Sequence, residues 1–371
     1  MAEFTLSTKV IYGKDVHRKL NELKQERIWV VCDRFLVQTP IFLKIKTVLE
    51  KSNAMEIFDD IVPDPPLEKI THGVVQLWQF KPTIILAIGG GSAIDTAKAV
   101  RYVAERKNYQ KIKSFIAIPT TSGTGSEVTS VSVITDTEAK KKYPIVDKGL
   151  IPDIALLVPE FVASCPKSVT AYSGMDVLTH ACEALIAKDA NVFTDAFAEK
   201  AIEYVFKYLP TCYGNGEVME AREKMHEASC LAGLAFEKAG LGVCHAISHQ
   251  IGGQFHFPHG LINAILLPKV VAVNAEETEA AKKYANIAKK LAMVQQTADQ
   301  ATAVKGFIQK IEYLARELSC ETKLSSLSFN QEEYMRAIPA IIKHAKEDFT
   351  YAGNPKSLTN EELAAICISI I

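Results

Sequence analysis

Residues 83–98 read TIILAIGGGSAIDTAK, and the fold can be worked outward from them. Thr83 to Ile88 is a short apolar run, the length of a strand covered on both faces. Gly89, Gly90 and Gly91 then turn the chain, and Ser92, Ala93, Ile94 and Asp95 open a helix that continues through Thr96, Ala97 and Lys98. Glycines let a pyrophosphate come close to the backbone. Ser92 as a cap and Asp95 three residues later predict a capping box, which leaves the first-turn amides and the helix dipole facing an anion.

Similar apolar runs stand on either side: IWVVC (28–32), FIAI (115–118) and IALLV (154–158), with helical patterns such as Pro66 to Phe80 between them. Strands separated by helices imply βαβ units and a parallel sheet. After FIAI comes a second loop, PTTSGTGSE (119–127), in which glycines alternate with hydroxyls at a strand's carboxyl end, where open parallel sheets bind ligands. Neither loop is a GxGxxG fingerprint, and neither continues as GK[ST]. A dinucleotide is therefore favoured over a hydrolysed triphosphate. Asp33, just past IWVVC, is placed to hydrogen-bond ribose hydroxyls and repel a 2'-phosphate, which favours NAD over NADP. From Val128 to Val146 the apolar alternation and the charged DTEAKKK predict a hairpin.

Beyond Val158 strand signals almost stop, and helical periods run to the end of the sequence. The expectation is an α/β domain over residues 1–162 followed by an all-helical domain over 163–371, divided near Pro159 to Pro166. Hydrophobic residues make up 48% of the 371 and charged residues 23%, as in an ordinary globular protein. The 42 basic and 43 acidic side chains leave a net charge of −1, so no basic field awaits nucleic acid or an anionic membrane. No apolar run is long enough for a membrane span, and the first residues, MAEFTLSTKVIYGKD, lack the charged start and apolar run of a secretory signal. Together with eight scattered cysteines lacking a CxxC pair, this predicts a cytoplasmic protein with reduced thiols.

Four of the nine histidines, His245, His249, His256 and His259, fall within residues 245–259. His245 and His249 are one helical turn apart, while Pro258 and Gly260 mark a turn around His259. Upstream, Asp176 and His180 in GMDVLTHACEA have the same spacing. One carboxylate with up to four imidazoles suits a divalent metal, zinc or iron alike. Spacing alone leaves open which imidazole stays unbound.

These segments resemble a known family. GGGSAIDTAK, PTTSGTGSEVTS, GMDVLTHACEA and HAISHQIGGQFHFPHGLINAILLP occur in the order and spacing of the iron-containing, or group III, alcohol dehydrogenases, and the likeness covers essentially the whole chain. VCD after the first long strand, KYP after the hairpin, KMH and GGQFH are similar to the 1-propanol dehydrogenases of 1,2-propanediol-degrading bacteria. The resemblance implies an N-terminal Rossmann-like domain, a C-terminal helical domain and an active site in the cleft between them.

It further implies Fe(2+), or Zn(2+) on the same ligands, held by Asp176, His180, His245 and His259. His249 is then a catalytic-site residue that relays a proton or positions substrate, and Phe236 lines the pocket. NAD(H) should contact Asp33, Gly90, Gly91, Ser92, Asp95, Thr120, Thr121 and Lys142. The implied reaction is hydride transfer between NAD(H) and a small primary alcohol or aldehyde, with propanal reduced to 1-propanol. The implied assembly is a homodimer, with an association with a bacterial microcompartment. Other group III substrates, a diol or a longer alcohol, are the first alternative. A dehydroquinate-synthase-like lyase is the second, but it calls for a glutamate, two histidines and several lysines. The phenyl rings of Phe236, Phe255 and Phe257 favour a small uncharged aldehyde instead. Two places depart from the commoner family pattern: Gln250 stands where proline is frequent, and DFTYAGNP (348–355) replaces a DxCTxxNPR segment.

Overall fold

The computed structural model describes residues 3–63, 65–107, 112–136 and 141–371, without the side chains of residues 136, 141 and 142. Contacts divide the chain into two units, Met1–Cys165 with Glu217–Gly233, and Pro166–Gly216 with Leu234–Ile371.

In the first unit the strands are β1 (Lys9–Ile11), β2 (Arg27–Cys32), β3 (Ala54–Phe58), β4 (Ile84–Gly89), β5 (Ser114–Pro119), the pair β6 (Val131–Asp136) and β7 (Lys141–Val146), and β8 (Ile154–Leu156). The helices α1 (Pro40–Glu50), α2 (Leu67–Phe80) and α3 (Gly91–Arg106) connect them. Six strands form one parallel sheet in the order β1-β8-β5-β4-β2-β3. β2 and β4 read as unbroken apolar runs because both faces are covered. Ile28, Val30, Leu86 and Ile88 pack with Phe42, Ile45 and Leu49 of α1. Trp29, Val31, Ile85 and Ala87 pack with Leu77 of α2 and Ile94 and Val100 of α3. The expected hairpin is present as antiparallel β6 and β7, Val131 opposite Val146; its turn, residues 137–140, lies outside the described residues. β1 and β3, absent from the sequence reading, are short and half-exposed, so they lack the apolar run that marked the central strands. β8 stops at Leu156, two residues before the expected end.

The second unit is helical among the described residues: α4 (Lys167–Ile186), α5 (Val192–Gly214), the end of α6 (Met219–Ala239), α7 (Val243–Phe255), α8 (His259–Asn274), α9 (Thr278–Lys290), α10 (Gln300–Glu317), α11 (Gln331–Glu347) and α12 (Asn360–Ser369). α4 is buried at every position from Gly174 to Ile186, as expected of a helix covered on all sides. Its polar residues on one face are therefore the informative ones. A Cβ on Gly260, in the first turn of α8, would lie 2.1 Å from the carbonyl oxygen of Tyr172 on α4. Only glycine lets these two backbones come so close, and that approach delivers His259 to α4. All eight cysteines are free. Among the described residues no single helix is long and apolar enough to cross a membrane.

Candidate metal centre and nucleotide-binding edge

After β2 the chain adds β3 on one side, then returns past β2 to add β4 and β5 on the other. The order reverses between β2 and β4, the kind of switch point at which open α/β sheets bind nucleotides. Asp33 follows β2 and Gly89 ends β4, and a Cβ on Gly89 would lie 2.9 Å from Asp33 Oδ2. Burial raises the Asp33 carboxyl, with the Gly90 amide opposing it. The second loop adjoins the first: Thr120 N donates to Gly89 O at 3.0 Å, and Cβ atoms on Gly90 and Gly91 would meet Thr121 at 3.5 Å and Thr124 at 2.9 Å. The structure thus brings Asp33, Gly90, Gly91, Thr120 and Thr121 to one edge of the sheet, with Ser92 in the first turn of α3. The Lys142 side chain lies outside the described residues.

The expected capping box is corrected. α3 starts at Gly91, its N-cap is Gly90, and no side chain caps it. Asp95 turns instead toward the hairpin, where its two carboxylate oxygens accept from Ser126 Oγ at 2.7 Å and Val133 N at 3.0 Å. Its side chain ties α3 to the second loop and β6. Beside it, fully buried Lys98 donates to Ser126 Oγ, Thr129 Oγ1 and Val131 O. The sequence reading missed this brace, and likewise the Ser122 Oγ to His226 Nδ1 bond of 3.1 Å that pins the second loop to α6.

The second site grows from one face of α4. Asp176, His180 and Glu183 are spaced four and three residues apart, so they line up; all three are buried. α7 contributes His245, whose Nδ1 lies 2.6 Å from Glu183 Oε2, while Glu183 Oε1 accepts the Cys244 amide at 2.6 Å. In its neutral form His245 therefore keeps its Nε2 lone pair, 3.5 Å from Asp176 Oδ1. His259, at the start of α8, has Nδ1 3.3 Å from Ser248 Oγ and Nε2 3.5 Å from the same Asp176 Oδ1. Asn263 Nδ2 donates to Asp176 Oδ1 at 2.7 Å and lies 3.2 Å and 3.1 Å from the two imidazole Nε2 atoms. His180 stacks on His245 at 4.4 Å, and its buried Nδ1 has no hydrogen-bond partner.

Burial works against charge on each group. It holds the His180 imidazole down to about 4. For His245, Glu183 and Asp176 outweigh burial and lift it to about 9. For Asp176 burial is again opposed, by His180, His259 and His245, and the carboxyl sits well below its usual range. Asp176, His180 and His245 offer ligand atoms all within 4.8 Å of one another. Converging lone pairs, an orphaned buried nitrogen and a carboxylate fit a divalent cation, and His259 extends the set.

His256 stands apart: it is exposed and ends α7 in the left-handed region at φ 57°. His249 is beside the group, its ring 5.3 Å from that of His259, with Nδ1 2.9 Å from Asp348 Oδ2. Phe236 stacks on His180 at 4.6 Å. Phe255 and Phe257, read from sequence as company for the substrate, instead engage Phe329, and Phe255 also engages Tyr334. Glu183 and Asn263 were within reach of helical spacing, one turn from His180 and His259. Asp348 had no such signal, since it meets His249 across 99 residues of chain.

Two family models match, iron-containing alcohol dehydrogenase over residues 7–159 and the C-terminal domain of the Fe-containing alcohol dehydrogenase family over residues 170–371. The chain belongs to the iron-containing alcohol dehydrogenase family. It is accordingly an oxidoreductase of the alcohol dehydrogenase kind. It is 42% identical over 356 residues to the 1-propanol dehydrogenase PduQ of Citrobacter freundii, covering 96% of each chain. A crystal structure of a 1,3-propanediol oxidoreductase superposes with a TM-score of 0.92 at 30% identity, covering 100% of both chains. A sulfoacetaldehyde reductase from Bifidobacterium kashiwanohense, solved in complex with NAD+, superposes with a TM-score of 0.88 at 27% identity, covering 100% of this chain and 98% of that one.

Proposed function

We propose that this dehydrogenase interconverts a small primary alcohol and its aldehyde, reducing propanal to 1-propanol with NADH. The observation that carries this is the buried group of Asp176, His180 and His245 with the Phe236 ring stacked on His180: a cation-binding set beside an apolar face suits a short uncharged substrate. Likeness to a 1-propanol dehydrogenase supports the chain length.

Asp176, His180, His245 and His259 would hold divalent iron. When bound, iron supplies Lewis-acid polarisation of a carbonyl, and the nicotinamide supplies hydride. The chain's own residues do the rest. Glu183 and Ser248 each engage a ligand imidazole at Nδ1, which leaves Nε2 for the metal. Phe236 packs on the alkyl chain and excludes water. His249, held at Nδ1 by Asp348, gives or takes the proton of the alcohol oxygen at Nε2. Asp33 binds the ribose hydroxyls and disfavours a 2'-phosphate, while Gly90, Gly91, Ser92, Thr120 and Thr121 offer amides and hydroxyls to the pyrophosphate. The homodimer and the microcompartment rest on the resemblance alone.

The test is the initial rate of NADH oxidation, measured anaerobically on metal-stripped protein reloaded with ferrous iron or zinc, across propanal, longer aldehydes and hydroxyaldehydes, and again with NADPH. Iron restoring the fastest rate, on propanal and with NADH, is expected. Faster turnover of another carbonyl moves the substrate, and no turnover with either metal in folded, NADH-binding protein overturns the function.

A further inference from the structure

The Asp348 carboxylate engages four donors. Oδ2 faces His249 Nδ1 at 2.9 Å and accepts from Gln250 Nε2 at 3.3 Å. Oδ1 accepts from the backbone N of Thr350 at 2.9 Å and its Oγ1 at 2.7 Å. Gln250 Nε2 is itself held by the carbonyl of Ala246, one turn back in α7, at 3.3 Å. Phe349 stacks on the His249 ring at 6.1 Å with 19° between planes, and His259 does so at 5.3 Å with 16°. When Nδ1–H donates to Asp348 Oδ2, the neutral ring of His249 carries its lone pair on Nε2.

A carboxylate just past a helix end is free to rotate unless both oxygens are engaged. Here Gln250 engages one from α7 and Thr350 engages the other from the following turn. We propose that Gln250 and Thr350 act jointly, through Asp348, as positioning residues that hold His249 in one orientation and one tautomer; this rests on the role of His249 stated above. Gln250 and Thr350, far apart in sequence, thus meet at one carboxylate.

The experiment uses iron-loaded enzyme and whichever aldehyde turns over fastest. Gln250→Leu, Thr350→Val and the double variant are each made in the native chain and again in His249→Ala. Each single variant is expected to lower kcat about tenfold, the size of a lost hydrogen bond to a charged group, with iron content and the KM for NADH unchanged. None should lower it further once His249 is absent. In iron-free, histidine-labelled protein, proton–nitrogen NMR should show one His249 tautomer in the native chain and a mixture in the variants. An equal loss of kcat in the His249→Ala background, an unchanged kcat, or loss of iron overturns the proposal. Full turnover by His249→Ala overturns the role of His249 as well, whereas slow His249→Ala alongside unaffected Gln250→Leu and Thr350→Val overturns only the joint positioning.

Discussion

Nδ1 of His245 and Oε2 of Glu183 lie 2.6 Å apart, both side chains almost wholly buried. A carboxylate behind a ligating imidazole fixes its tautomer, raises its basicity and orients the ring. The Glu183 carboxylate thus belongs to the metal centre although it is not read as a ligand.

Glu183→Gln keeps the shape of the residue and removes its charge. Iron affinity should fall by about 10- to 100-fold, as for other partners of ligating histidines. Competition with a chelator, read as iron retained per chain, measures it; unchanged retention would show that Glu183 only packs.

Gly260→Ala puts a methyl 2.1 Å from the Tyr172 carbonyl oxygen. α8 must move away from α4, at a cost of about 1–3 kcal/mol by overpacking, and His259 moves with it. A lower Tm together with a loss of bound iron is expected, while the α/β unit should still bind NADH. A variant with full iron content would mean that α8 shifts without displacing His259.

His226 is buried, and burial holds its imidazole down to about 4. Its folded value lies below the unfolded one, so its contribution to stability is present above about pH 6.5 and is lost as pH falls toward 4. At about 1.36 kcal/mol per pKa unit, the loss amounts to about 3 kcal/mol. His226→Gln, which cannot charge, should show a flatter fall in Tm between pH 7 and pH 5, and because the Ser122 contact is altered, a raised KM for NADH. A parallel fall in Tm would contradict the assignment.

Glu127 has the opposite sign. It is buried, its Oε1 lacks a hydrogen-bond partner, and burial lifts its carboxyl to about 7. Between about pH 4.5 and 7 the unfolded chain has released this proton and the folded chain has not, so stability falls as pH rises through that window. Glu127→Gln should therefore raise Tm at pH 8 and change it little at pH 4.5. Equal effects at both values would assign the gain to packing.

The sequence by itself determined the alternation that builds the parallel sheet, the two loops at its carboxyl edge, and the paired spacings of Asp176 with His180 and His245 with His249. Those features are local, because strand and helix periods and turn residues act over a few positions. Only the tertiary structure decided what depends on packing between distant segments. Asp95 reads as part of a cap but serves β6, because α3 is capped at Gly90 rather than Ser92 and the Asp95 carboxylate meets Val133. His256 reads as a ligand candidate but ends its helix, while His259 joins Asp176 because Gly260 lets α8 touch α4. Asp348 reaches His249 from 99 residues away, and hydrogen bonds of that kind depend on how helices pack, which no local pattern of residues records.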